Sequence, residues 1–74
     1  MDIKPGIWKH SKKGTLHRVL SIAAHSETLE KMVVYEELEP NPVSQIWVRP
    51  AVMWSELVEI EGEMKPRFVF VSEK

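Results

Sequence analysis

There is no cysteine in this chain, which excludes a disulfide framework, a thiolate metal site and a cysteine nucleophile. No run approaches the ~20 apolar residues of a membrane-spanning helix, and Met1-Asp2-Ile3-Lys4-Pro5 lacks the character of a signal peptide. A surplus of one charge sign is also missing. Ten Lys and Arg face 11 Asp and Glu, for a net -1, too balanced for bulk attraction to nucleic acid or an anionic membrane. No repeat, linker or low-complexity segment interrupts the chain. The expectation is one cytoplasmic domain over residues 1–74, with no membrane association.

A chain of 74 residues buries only ~60% of the surface its unfolded form exposes, so every large side chain counts toward the core. Trp8, Trp47, Trp54, Tyr35, Phe68 and Phe70 are the first candidates, each worth roughly 1.5–3 kcal/mol when buried. The small net charge hides an asymmetry. Residues 1–25 carry five basic residues, one acid and all three histidines, whereas residues 26–74 carry ten acids and five bases. A basic end therefore survives inside an acidic total.

Local pattern predicts strands. Pro5-Gly6 opens a turn before the extended Ile7-Trp8-Lys9-His10, and Ser11-Lys12-Lys13-Gly14 forms a basic turn. Leu16 to His25 is β-branched and apolar enough for a strand, with Ser26-Glu27-Thr28 as a polar connection to Lys31–Glu36. Pro40-Asn41-Pro42 ends that strand, and Pro50 stops Ile46–Arg49. Residues 50–57 suggest one helical turn, with Met53 and Leu57 four apart. Leu57–Ile60 is expected to pair with Arg67–Val71 through Glu61-Gly62-Glu63. About five short strands and one helical turn make an all-β meander, and closure into a small barrel would remove its exposed edges.

Three segments carry a family resemblance: His25-Ser26-Glu27-Thr28-Leu29-Glu30 with Val33-Val34-Tyr35; Trp47-Val48-Arg49-Pro50 with Met53-Trp54 and Glu56; and Pro66-Arg67-Phe68. In order and spacing they resemble the small bacterial family catalogued as domain of unknown function 1653, over nearly the whole chain. The resemblance implies a small SH3-like β-barrel and no particular activity.

Several constellations invite chemistry. His25-Ser26-Glu27 looks like a compressed hydrolytic triad, but on an extended chain Ser26 faces away from its neighbours, so a small hydrolase using His25 and Ser26 is only a second alternative. His17 and His25 share a strand face but lie about 26 Å apart along an extended strand, too far for one metal ion. His10 can approach His17 across a hairpin, yet two histidines alone make a poor site, and no metal is expected. Lys9, Lys12, Lys13 and Arg18 could grip phosphates while Trp8 stacks on a base, which makes RNA or single-stranded DNA the main alternative partner. Trp54, if exposed, would anchor a peptide or a second copy of the chain, and Trp8, Tyr35 and Trp54 could form a cation cage.

Arg49 and Arg67 stand inside aromatic-bearing strands, beside Trp47 and Phe68. A forked guanidinium suits a carboxylate or phosphate; equally, either arginine could pair with Glu27, Glu36 or Glu56 in a structural ion pair. The favoured expectation is a non-enzymatic binding module for a peptide, a protein or a small anionic ligand, acting as a monomer or weak homodimer without a cofactor. Its site would comprise His25, Glu27, Tyr35, Trp47, Arg49 and Arg67, with no catalytic residue. The arginines would hold an anionic group, Glu27 would orient one of them, and His25 would be a pH-sensitive donor.

Overall fold

The computed structural model describes residues 3–74. Met1 and Asp2, part of the segment considered for signal character and of the domain range 1–74, lie outside the described residues. The elements run β1 (Gly6–His10), β2 (Leu16–Ala24), β3 (Lys31–Glu37), β4 (Ile46–Pro50), α1 (Ala51–Trp54), β5 (Leu57–Ile60), β6 (Glu63–Pro66) and β7 (Phe68–Ser72). The chain is nearly all-β. Five strands form one antiparallel sheet in the order β4-β3-β2-β1-β7, and β5-β6 form a separate hairpin.

Two expectations are corrected. Among the described residues there are seven strands where about five were expected, because the short extended piece at Ile7–His10 is a full strand and the polar, fully exposed Glu63–Pro66 is itself a strand. Leu57–Ile60 pairs with it and not with Arg67–Val71. Glu61 and Gly62 both have positive φ, 52° and 83°, the signature of a two-residue primed turn that brings Glu63 directly opposite Ile60. Phe68–Ser72 is thereby free to pair with β1. The main sheet is also not hydrogen-bonded into a closed barrel among the described residues, so β4 and β7 remain its edges. Pro50, which has no N–H, ends β4, and the indole of Trp54 lies against the β7 ring Phe68.

Strand parity explains the core. The register sets His17 opposite Glu37, Val19 opposite Tyr35, Tyr35 opposite Trp47 and Val33 opposite Arg49, so these side chains share one face of the sheet. Trp8, Val19, Val33, Tyr35, Ala51, Trp54 and Phe68 form the buried cluster, with Ile3, Trp47 and Phe70 packed on it. A bulge at Leu20 shifts the β2–β3 register, and another at Ile7/Trp8 shifts β1 against β7; such bulges bend and twist a sheet.

In α1 the buried residues are Ala51 and Trp54, three apart on one face. Met53 and Leu57 are exposed instead, which corrects the spacing used to predict the turn. Trp54 is fully buried. It stacks on Phe68 with centroids 3.7 Å apart and planes at 6°, tilts on Tyr35 at 5.1 Å and meets the Trp8 edge at 6.0 Å. An exposed Trp54 anchor and an open cage from Trp8, Tyr35 and Trp54 are thus both overturned: the three rings do meet, but as core.

Gly6 sits where β1 meets β7. Its φ is +139°, and a Cβ there would lie 2.5 Å from the Ser72 carbonyl oxygen and 2.9 Å from Phe70 Cε1. Gly6→Ala is therefore expected to destabilise the fold by about 2–4 kcal/mol. Thermal denaturation should show Tm falling by roughly 10 °C or more.

Candidate functional site

Two turns of the main sheet repeat one device. In the β1–β2 turn His10 Nδ1 accepts from the backbone N–H of Lys12 and Lys13 at 3.2 and 3.1 Å, and Gly14 N–H donates to the His10 carbonyl at 2.8 Å. In the β2–β3 turn His25 Nδ1 accepts from Glu27 and Thr28 at 3.1 and 3.3 Å, and Leu29 N–H donates to the His25 carbonyl at 2.8 Å. Both turns close with a residue at positive φ, Gly14 at 75° and Leu29 at 64°. Each His-Ser pair therefore marks a histidine-capped turn, much as Asx residues cap turns elsewhere.

This places His25 and Glu27 at the exposed tip of the β2–β3 hairpin. The His17–Glu37 pair is at the other end of the same two strands. Eight residues separate His17 from His25, roughly 26 Å for a straight strand. His25 and Glu27 are not among the walls of the cavity that Arg49 lines, and the Nδ1 of His25 is taken by the backbone rather than by Ser26. Arg67 is engaged elsewhere than on a cavity wall. Its guanidinium donates to Glu56 Oε1 at 2.7 Å, and its backbone N–H donates to the Glu56 carbonyl at 2.7 Å. This is the structural ion pair weighed against a ligand role.

Tyr35, Trp47 and Arg49 are brought together. They line a cavity of about 350 Å³ whose other walls include His10, Lys13, Thr15, His17, Glu37, Asn41 and Phe68. The Arg49 guanidinium lies over the Phe68 ring at 5.4 Å. Arg49 is on one edge strand and Phe68 on the other, so the sheet curls until its edges face. Among the described residues Arg49 makes no ion pair, and both Arg49 Nε and Trp47 Nε1 are buried without a hydrogen-bond partner. Buried donors of this kind are costly unless something accepts from them.

The histidines of the cavity were not assigned to a site from sequence. Thr15 and His17 share a parity, and Glu37 sits opposite His17, so the pattern was present once the β2–β3 register was known. His17 Nδ1 is 3.1 Å from Glu37 Oε1, and its Nε2 is 2.9 Å from Thr15 Oγ1. Rings hold it edge-on: Tyr35 at 5.7 Å and Phe68 at 5.5 Å. His10 packs edge-on against Phe68 at 4.9 Å.

His10 is buried, and burial holds its pKa below the usual 6.5, helped by the charges of Lys13, Arg49 and Arg67 and by His17. Protons bind the unfolded ring more readily than the folded one. The His10 contribution to stability is therefore whole above pH 6.5 and is lost as pH falls from there through the lower folded-state pKa. Protonation of Nδ1 would also break the turn cap. Urea midpoints measured across acid pH should fall in the parent chain, and His10→Asn, which keeps a side-chain acceptor, should flatten that slope. An unchanged slope would remove His10 as its source.

The nucleic-acid alternative loses its aromatic residue. Trp8 is buried and donates through Nε1 to the Lys4 carbonyl at 2.9 Å, so it cannot stack on a base. Arg18 is 3.4 Å from Glu36. Lys9, Lys12 and Lys13 remain exposed. No helix among the described residues is long and apolar enough to cross a membrane.

The family model described as "Protein of unknown function (DUF1653)" matches residues 6–70. The chain belongs to the DUF1653 family. The crystal structure of a DUF1653 protein from Bordetella bronchiseptica is similar across the whole domain, with a TM-score of 0.89 at 32% identity, covering 99% of this chain and 92% of that one. No curated protein matches the chain. The DUF1653 match includes all the strands that build the cavity, from β1 to Phe70 of β7.

Proposed function

We propose that this DUF1653 chain is a binding module for a small anionic ligand held in the cavity between the turn after β1 and the edge strand β4. The observation that carries this reading is Arg49, a half-buried guanidinium in the cavity wall with no carboxylate partner among the described residues. A forked cation is suited to two acceptor oxygens. The neighbouring Trp47 N–H is a further donor, and Tyr35 and Phe68 supply apolar walls. Small-molecule sites commonly combine such walls with a few convergent polar groups.

The same reading treats the curled sheet as a small SH3-like barrel. Its support is the approach of Arg49 on one edge to Phe68 on the other, with Trp54 stacked on Phe68 in the core. The module works in the cytoplasm, as a monomer or weak homodimer, and binding needs neither a cofactor nor catalysis.

The test is an NMR titration of the isotopically labelled chain with small carboxylates and phosphates, such as benzoate, succinate and phenyl phosphate. Shifts are expected at the Trp47 indole N–H, the Arg49 Nε–H and the Tyr35 amide. No shift at these groups up to about 10 mM, where binding worth roughly 3 kcal/mol would register, would count against the reading.

A further inference from the structure

We infer that Thr15, His17 and Glu37 form a nucleophile, base and positioning carboxylate that hydrolyse an ester at this cavity. The inference rests on the binding reading only for the acidic character of the substrate. A carboxylate only accepts hydrogen bonds, so the 3.1 Å contact to Glu37 puts the proton of the neutral ring on Nδ1. The lone pair of Nε2 then faces the Thr15 hydroxyl at 2.9 Å. This is the chain of contacts that activates a hydroxyl nucleophile, with the base itself oriented by a third group. All three residues line the same cavity as Arg49, Lys13 and Trp47.

The arrangement follows from the fold. Thr15 immediately precedes β2, two residues before His17, Glu37 is the cross-strand partner of His17, and Tyr35 and Phe68 fix the ring. A clip joining β2 to β3 would need only the His17–Glu37 contact. The Thr15 hydroxyl lies outside that contact, on the other ring nitrogen, and stands on an exposed residue at the cavity.

The chemistry balances without a cofactor. Thr15 Oγ bonds to the ester carbonyl carbon while its proton passes to His17 Nε2. The tetrahedral intermediate collapses, the C–O bond to the alcohol breaks, and His17 returns the proton to the departing alcohol. Water then attacks the acyl-threonine, giving its proton to His17. Thr15 leaves with that proton, and the acid is released. Arg49 would hold a carboxylate elsewhere on the substrate, while Lys13 and the Trp47 N–H are the available donors for the oxyanion.

The whole chain is incubated with para-nitrophenyl acetate and with the para-nitrophenyl monoester of succinic acid. Nitrophenolate release and peptide mass mapping are then followed together. An acyl group on Thr15 is expected, as is a loss of at least about 100-fold in turnover in Thr15→Ala with retention in Thr15→Ser. Glu37→Gln should lower kcat with KM unchanged, and Glu37→Asp should recover part of it. Thr15→Ala turnover equal to the parent's, or acylation confined to lysines, overturns the relay. If acids bind the cavity but Thr15 is never acylated, the relay fails and the binding reading stands. If para-nitrophenyl acetate acylates Thr15 while no acid binds, the relay stands and the binding reading fails.

Discussion

Trp54→Ala is expected to leave the chain largely unfolded at room temperature. A Trp-to-Ala change in a core costs about 3–5 kcal/mol. In a domain of 74 residues a single hydrophobic core rarely supplies more than about 3–5 kcal/mol of net stability. The loss falls at the high end here because Trp54 is fully buried and packs against rings from three strands at once. It touches Trp8 of β1, Tyr35 of β3 and Phe68 of β7, so removing it opens a void across the concave side of the sheet. Helix α1 has four residues and cannot persist by itself, since helix nucleation is unfavourable at that length. Trp54→Phe is expected to behave differently. It retains a ring over Phe68 and removes the Trp54 Nε1–H, which is buried without a partner and so costs about 1–3 kcal/mol. That gain offsets the lost volume, and Tm should stay close to the parent value. Circular dichroism and urea denaturation of the two variants make the comparison. An unchanged midpoint in Trp54→Ala would show that the aromatic cluster is not what holds the sheet curled.

The parts of the fold legible in the sequence were those set by local chemistry. Ile7–His10, Leu16–His25, Lys31–Glu36 and Ile46–Arg49 emerge within a residue or two of β1 to β4, because β-branched runs were bounded by Pro, Gly and His-Ser turns. Strand β6 was hidden by its composition. Glu63–Pro66 is fully exposed, so no apolar alternation marks it, and only the Glu61-Gly62 turn announces the pairing. Trp54, a core candidate by size, could also be read as an exposed anchor because a single helical turn offers too little periodicity to say whether Met53 or Trp54 faces inward. Ala51, three residues earlier, is the other buried residue of α1 and joins Trp54 in the core cluster.

The candidate site divided along the same line. Tyr35, Trp47 and Arg49 converge because parity and cross-strand register are regular, and those follow from the strands themselves. His25 and Glu27 belong to the same family segment as Tyr35 and carry suitable chemistry, but the β2–β3 turn holds them at its exposed tip. Which end carries the cavity depends on how far the sheet curls, and that depends on bulges at Leu20 and Ile7/Trp8 that no local pattern reveals. Thr15, His17 and Glu37 needed the same knowledge, since Glu37 is 20 residues from His17 in the chain.

Arg49→Ala is expected to abolish most anion binding while leaving stability within about 1 kcal/mol of the parent, and the two halves of that result have separate causes. Hydrogen bonds to a charged group are worth about 1.5–3 kcal/mol, so affinity for a carboxylate in the cavity should fall roughly 10- to 150-fold. Stability changes little because the losses and gains oppose each other. The guanidinium over Phe68 at 5.4 Å contributes about 0.5–1 kcal/mol at an exposed site and more when desolvated. Against that, the buried Nε without a partner is relieved when the side chain is removed. Arg49→Lys should give intermediate binding, keeping the charge but losing the fork that matches two oxygens. Arg67→Ala provides the contrast. Its pair with Glu56 has side chains 24% and 51% exposed, so screening limits its worth to roughly 1 kcal/mol or less, and Arg67 is not among the cavity walls. Its loss should lower stability slightly and leave binding intact. NMR titration with benzoate and urea denaturation on the same three variants decide the matter. If Arg49→Ala unfolds the domain, or binds benzoate as the parent does, Arg49 belongs to the scaffold and the cavity is not an anion site.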